Sequence, residues 1–142
     1  MPAGPPRVRQ NYLAILVAAI ASFLFEAAWY SLFLNAWLKG IGHNRQWLDT
    51  TGVSLWLQCV TALAAAALLA ATISAFTQLT GAQTAWRGLK IAAALWAGCV
   101  LSTLATEYVF EVRSYAIFSI NTGFWLISMM LMGAIVGAWE KR

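Results

Sequence analysis

The sequence predicts an all-α integral membrane protein, a four-helix bundle with both termini on the cytoplasmic side. First, 61% of its 142 residues are hydrophobic and only 10% are charged, whereas soluble domains are about half apolar and about one quarter charged. Second, four apolar stretches are each long enough to cross a bilayer core about 30 Å thick. Third, the polar breaks between these stretches are short, which predicts one compact domain without a soluble catalytic domain.

The chain begins with a polar segment. Residues 1–10 contain all three prolines together with Arg7 and Arg9, which predicts a flexible N-terminal tail. The apolar stretch that follows, about residues 12–34, is too long for the hydrophobic region of a cleaved signal peptide. We therefore interpret it as the first transmembrane helix, so that residues 11–142 are a single membrane domain.

Three further helices follow the first. A polar break at about residues 35–52 precedes a second helix at about 53–79, whose alanine-rich centre permits close helix approach. A third helix is predicted at about 86–110. Only the three residues 111–113 separate it from a fourth helix at about 114–139.

The distribution of basic residues predicts the orientation, because cytoplasmic loops are enriched in lysine and arginine. Six basic residues fall on the side of the termini and three on the other side, which places both termini and the second loop in the cytoplasm. The net charge of +4 is spread over every polar segment, which excludes the clustered basic stripe of a nucleic-acid-binding protein. The first group is Arg7, Arg9, Arg87, Lys90, Lys141 and Arg142, and the second is Lys39, Arg45 and Arg113.

Glu26 is the most informative side chain, since it is predicted about two turns, or ~12 Å, inside the outer end of the first helix. Ionisable residues within a membrane usually face the bundle interior and mark functional sites. Ser22, Trp29, Tyr30 and Phe33 share its helix face at spacings of three or four residues, so that face should be buried. Two interpretations stay open: a protonated or ion-paired carboxyl that fixes the packing, and a proton or cation site open to the outer side.

Depth along the helices predicts the partners of Glu26. Gln58 and Asn121 lie about two turns below the outer ends of the second and fourth helices. The inner half of the bundle is nearly all apolar, which argues against a continuous aqueous pore. Arg113 can pair with Glu26, Glu107 or Glu111, and such a partly buried charge pair favours a structural role over a chemical one. The candidate polar cluster is Glu26, Gln58, Glu107, Glu111, Arg113 and Asn121.

Aromatic and small residues suggest two further features. Trp29, Tyr30 and Trp125 are a candidate aromatic pocket for an apolar ligand, with core packing as the alternative. Gly133 and Gly137 have the four-residue spacing that lets two helix backbones approach closely. That spacing serves either packing within one chain or association between chains.

Several kinds of site are missing from the sequence. It has no phosphate-binding glycine loop, no nucleophile elbow and no metal-binding pair of histidines. The only histidine, His43, lies in a loop, so no span offers the usual imidazole ligand for haem iron. Cys59 and Cys99 lack the spacing of a zinc site or a redox pair. We predict no metal, no resident cofactor and no enzymatic activity; a lipid, quinone or carotenoid remains compatible as an apolar ligand.

Two stretches of the chain resemble a known family, the bacterial membrane family named domain of unknown function 1761. The first stretch covers residues 11–19, Trp29-Tyr30-Ser31 and Ala36-Trp37. The second stretch is Phe110-Glu111-Val112-Arg113, then Ile120-Asn121-Thr122-Gly123-Phe124, then Leu131-Met132-Gly133-Ala134-Ile135.

The resemblance implies a four-helix, multi-pass protein of the bacterial cytoplasmic (inner) membrane, and the family has no established activity. The chain departs from the family pattern at Leu32 and Leu34, where proline and glycine tend to occur, and near Glu26, where a small residue does. The departure indicates that Glu26 is a local variant, which lowers its value as a candidate site. The positions that match the family patterns are Trp29, Tyr30, Glu111, Arg113 and Asn121.

The leading functional hypothesis is a non-enzymatic membrane module that acts by association, either as a homo-oligomer or as a small accessory subunit of a larger membrane complex. The alternative is binding or transport of a small solute or a proton through the outer-facing polar cluster. A membrane enzyme ranks third, because it requires Glu107, Glu111 and Arg113 to meet in one cleft for acid–base chemistry on a lipid.

Overall fold

The computed structural model of the protein describes residues 8–50 and 52–140. Within these ranges four helices are long and apolar enough to cross a membrane, and this confirms the predicted all-α membrane bundle. The predicted flexible tail falls mostly on residues 1–7, outside the described residues. The four spans are α1 (Tyr12–Gly40), α3 (Leu55–Leu79), α4 (Ala85–Phe110) and α5 (Tyr115–Ala138), with a short helix α2 (Arg45–Thr50) between the first two.

A polar side chain caps the start of each span. At each cap a side-chain oxygen accepts a hydrogen bond from a backbone N–H two or three residues further on. Such caps satisfy backbone donors that the first turn of a helix leaves free. The capping residues are Asn11, Ser54, Thr84 and Ser114.

Helix α1 is longer than the sequence predicts. The polar residues from Asn35 onward suggest an end at Leu34, but polarity ends only the membrane core and does not stop a helix. The stop comes at Gly42, whose φ of 76° allows the His43 N–H to bond to the Leu38 carbonyl oxygen at 2.9 Å, a common helix-terminating arrangement. Glu26 is consequently the middle residue of a 29-residue helix, and not a residue two turns from its end.

Helix α5 is the most buried span of the bundle and packs against α1, α3 and α4. Half of its most apolar stretch is buried, the largest share of the four spans. Its inward side chains include Phe124, Met129 and Met132, each at most 1% exposed. The other three helices therefore share one partner.

Glycines bring α4 and α5 into backbone contact. A Cβ at Gly133 would overlap the carbonyl oxygen of Gly88 and lie 2.8 Å from the Cβ of Ala92, and a Cβ at Gly88 would overlap the carbonyl oxygen of Gly133. A Cβ at Gly137 would overlap the carbonyl oxygen of Thr84. Gly133 and Gly137 thus serve packing within one chain.

A π-helical segment, Trp96–Leu101, interrupts α4. In a regular helix, at about 100° per residue, Ala92 and Tyr108 would lie about 160° apart around the axis. Both are buried, with 0% and 6% of their surfaces exposed. A single π turn accommodates one extra residue, which reduces the angle between Ala92 and Tyr108 around the helix axis to about 60°. The π-helical segment therefore lets both halves of α4 face α5.

The bundle is tightly packed at the end where α1 begins and α5 ends, and it is open at the opposite end. The buried residues of α3 all lie between Ala66 and Thr77, and the eleven residues 55–65 contain none. At the tight end, the Asn11 amide donates to the Trp139 carbonyl oxygen at 3.2 Å. The first half of α3 therefore leaves a groove along α1.

Candidate functional site

The groove between α1 and α3 contains two cavities, of about 460 and 540 Å³, with residues of α5 also in their walls. Both cavities are lined by Glu26, Gln58 and Ala62, so we describe them together as the Glu26 groove. Small-molecule sites typically have volumes of about 300–1,000 Å³. Each cavity therefore has the size of a small-ligand site.

Aromatic and apolar side chains form most of the groove wall. Phe124 and Trp125 line the first cavity, and Tyr30 and Trp37 line the second. The rings of Phe124 and Tyr30 are 5.4 Å apart, and those of Phe124 and Trp125 are 5.0 Å apart. The buried Phe124 ring thus connects the aromatic walls of both cavities.

The Glu26 carboxyl group is half-buried in this groove. It has no hydrogen-bond or ion-pair partner among residues 8–50 and 52–140, where the one ion pair joins Glu111 and Arg113. An unpaired carboxylate in the middle of a span is costly, by about 2.5–3.5 kcal/mol for an acidic residue on insertion scales. Protonation or pairing with a cation would remove this cost.

Gln58 lies in the first turn of α3, opposite the middle of α1, because α1 extends well beyond the start of α3. Its side-chain Nε2 donates to the Val53 carbonyl oxygen at 3.1 Å. Gln58 and Glu26 line the same two cavities but share no hydrogen bond. The sequence predicts each of the two residues about two turns from the outer end of its helix, and both depths are wrong because α1 extends to Gly40 and α3 begins at Leu55. The two residues nevertheless line one groove, as neighbours rather than a bonded pair.

Asn121 joins three helices by hydrogen bonds to two tyrosines. The Tyr30 hydroxyl donates to its Oδ1 at 2.9 Å, and its Nδ2 donates to the Tyr108 hydroxyl at 2.6 Å. Asn121 also lines the second cavity with Glu26. Tyr108 is not among the candidate residues predicted from the sequence, because its inward direction depends on the π-helical segment of α4.

The three aromatic residues of the predicted pocket do not line one common cavity. The Trp29 indole donates to the Ile120 carbonyl oxygen at 3.1 Å and packs 4.8 Å from the Phe33 ring. It lines neither cavity, whereas Trp125 lines one and Tyr30 the other. Trp29 is therefore a packing residue between α1 and α5, and the groove contains the other two.

The remaining polar candidates lie outside the groove. Glu111 and Arg113 form an exposed ion pair in the turn between α4 and α5, with side chains 45% and 42% exposed. The hydrogen bond that Arg113 donates to the Glu111 carboxylate raises the pKa of Arg113 above its ordinary value. Glu107 is exposed on α4, and none of the three lines the groove. They do not form the cleft that an acid–base site would require.

Comparison with known proteins identifies the family of this chain but does not identify a function. The model of the family "Protein of unknown function (DUF1761)" matches residues 13–137, a range that covers nearly all of the four spans. No curated protein and no solved structure matches the chain. The chain therefore belongs to the DUF1761 family of proteins of unknown function.

Proposed function

We propose that this protein is a non-enzymatic protein of the bacterial cytoplasmic membrane that binds a small solute in the Glu26 groove, in exchange for a proton. The observation that carries the proposal is the half-buried carboxyl group of Glu26 in the middle of α1, which lies in a groove of ligand size and has no hydrogen-bond or ion-pair partner in the described part of the chain. A carboxyl group in this position can alternate between a bound proton and a bound ligand.

The hydrogen bond between Ser22 on α1 and Ser128 on α5 contrasts with the environment of Glu26. The hydroxyl groups of Ser22 and Ser128 lie 2.6 Å apart and form a hydrogen bond, and both residues are buried between α1 and α5. Ser22 is one turn from Glu26 on the same helix face. Ser22, which lines the first cavity with Glu26, therefore has a hydrogen-bond partner on α5, whereas Glu26 has none among residues 8–50 and 52–140.

The proposal includes an orientation. Both termini and the loop between α3 and α4 lie in the cytoplasm, which the bias of six basic residues against three supports. The groove lies along the half of α3 that begins at Leu55, so in this orientation it opens in the outer half of the bilayer.

Labelling with dicyclohexylcarbodiimide, a small hydrophobic reagent for protonated carboxyl groups, tests the proposal. We expect intact-mass spectrometry to show one adduct per chain at low pH and a lower rate of labelling as the pH rises. Glu26→Gln should abolish the adduct, while Glu107→Gln, which changes an exposed acid outside the groove, should retain it. Equal labelling of the wild type and Glu26→Gln would refute a reachable, protonatable Glu26.

The outward face of α4 favours self-association as a second candidate function. Only 11% of the most apolar stretch of α4 is buried in the chain, against 50% for α5. Ala94, Gly98, Ser102 and Thr106 are all exposed at four-residue spacing on this helix. Small residues at this spacing allow transmembrane helices to pack closely. Because Gly133 packs against α4 within the chain, self-association is proposed through the outward face of α4 and not through the glycines of α5.

Gly98→Ile tests the association. A Cβ at Gly98 would meet nothing within 4 Å, so the larger side chain should leave the folded chain intact and block only an approaching neighbour. We expect native mass spectrometry to show dimers or larger assemblies for the wild type and monomers for the variant, at equal thermal stability. A wild type that is strictly monomeric in mild detergent would count against the association.

A further inference from the structure

We propose that the ligand of the Glu26 groove is a hydrophobic organic cation with aromatic or bulky apolar substituents, and that it enters sideways from the lipid. The inference rests on the proposed function, because it requires that the groove bind a solute. The inference specifies the charge and shape of that solute and the route by which it enters the groove.

The charge of the ligand follows from the groups that face the groove. Among residues 8–50 and 52–140, Glu26 is the only acidic side chain that lines the groove, and no lysine, arginine or histidine lines either cavity. The other titratable groups in the walls are Tyr30 on α1 and Cys59 on α3, both ordinarily neutral at pH 7. No residue of α4 lines the groove, and α5 contributes no titratable group. A positive ligand is therefore matched and an anion is repelled.

The shape of the ligand follows from the aromatic walls. Glu26 lines both cavities, the first together with Phe124 and Trp125 and the second together with Tyr30 and Trp37. Cations bind to the faces of such rings, and this attraction increases when water is removed. The rest of the lining is mainly alanine, leucine and valine, which favours an apolar body over a hydrated ion.

The route follows from the position of the opening. The groove lies between α1 and a part of α3 that has no buried residue, with Leu57 56% and Trp56 77% exposed. In a bilayer this side of the bundle faces hydrocarbon. A hydrophobic cation concentrates in the membrane, whereas a hydrated inorganic cation does not enter it readily.

Binding at a protonated Glu26 displaces a proton. The carboxyl O–H bond breaks, the proton passes to water, and the carboxylate that remains pairs with the positive ligand. One monovalent cation therefore replaces one proton, and the net charge of the groove does not change. Binding should weaken as the pH falls, because protons compete for the same oxygen atoms.

Tetraphenylphosphonium and tetraphenylborate, ions of similar size and opposite charge, provide the test with the purified full-length chain in detergent. We expect isothermal titration calorimetry to show saturable binding of the phosphonium ion, at least tenfold weaker binding at low pH, and no binding of the borate. Glu26→Gln should weaken phosphonium binding at least tenfold, while Glu26→Asp should retain part of it. Glu107→Gln is the matched control that leaves the groove unchanged.

The possible outcomes separate this inference from the proposed function. If both ions bind equally well and Glu26→Gln does not change their binding, the Glu26 groove is an apolar groove that lipid chains fill. This outcome would overturn the inference. Absence of phosphonium binding in a protein whose Glu26 still reacts with dicyclohexylcarbodiimide would overturn the ligand class and leave the proposed function standing. If dicyclohexylcarbodiimide does not react with Glu26, the proposed function itself is refuted.

Discussion

Gly133→Ala is expected to destabilise the folded bundle by about 2–3 kcal/mol, in the upper range for overpacked sites. The added methyl group would overlap the backbone oxygen of Gly88 on α4. A backbone atom cannot move aside as the end of a side chain can, so α4 and α5 must separate. Gly133→Ile, which adds more atoms at the same point, should prevent accumulation of the folded protein.

Unfolding in mixed detergent and sodium dodecyl sulfate, followed by tryptophan fluorescence, measures this effect. Gly98→Ala is the matched control, because it adds the same methyl group to a glycine in the interior of α4 with nothing within 4 Å of the new atom. Its free energy of unfolding should equal or slightly exceed that of the wild type, since alanine is the better helix former. Equal stability of Gly133→Ala and wild type would contradict the backbone contact.

Asn121→Leu should destabilise the bundle by about 1–3 kcal/mol, because the hydrogen bonds to two tyrosines are lost together and each interhelical bond contributes about 0.6–2 kcal/mol in a membrane. The replacement keeps a similar side-chain volume and leaves the hydroxyl groups of Tyr30 and Tyr108 without their partner. Since Tyr30 lies on α1 and Tyr108 on α4, the loss loosens both helices from α5.

A mutant cycle separates the hydrogen bonds of Asn121 from its packing. Tyr30→Phe and Tyr108→Phe each remove one hydroxyl group and should each have about half the effect of Asn121→Leu. When Leu already replaces Asn121, the two phenylalanine changes should add little further loss, because their bonds no longer exist. Full additivity in thermal unfolding would show that the three side chains do not interact.

The number and position of the spans are readable from hydropathy, because a membrane requires about 20 apolar residues per helix. The ends are less readable. Asn35 and Lys39 mark where α1 leaves the apolar region, yet the helix continues to Gly40. What stops it is the left-handed conformation of Gly42, a local property of the backbone that hydropathy does not measure.

The groove was only partly predictable. Glu26, Gln58 and Asn121 can be grouped by counting helix turns, and all three line one cavity. Glu107 and Arg113 can be grouped the same way, but the directions of their side chains depend on a turn and on a break in helix periodicity. The π-helical segment before Tyr108 has no simple sequence signal, so the hydrogen bond from Asn121 to that tyrosine could not be foreseen.

The packing of α5 against the other three spans has a consequence for biogenesis. Of the four spans α5 is the last to leave the ribosome, yet all three earlier spans contact it. Helices α1, α3 and α4 must therefore enter the membrane before their common partner exists. Contacts of α3 with α1 and α4 do not depend on α5, but Gly88 of α4 lacks the backbone of Gly133 against which it packs until α5 is added.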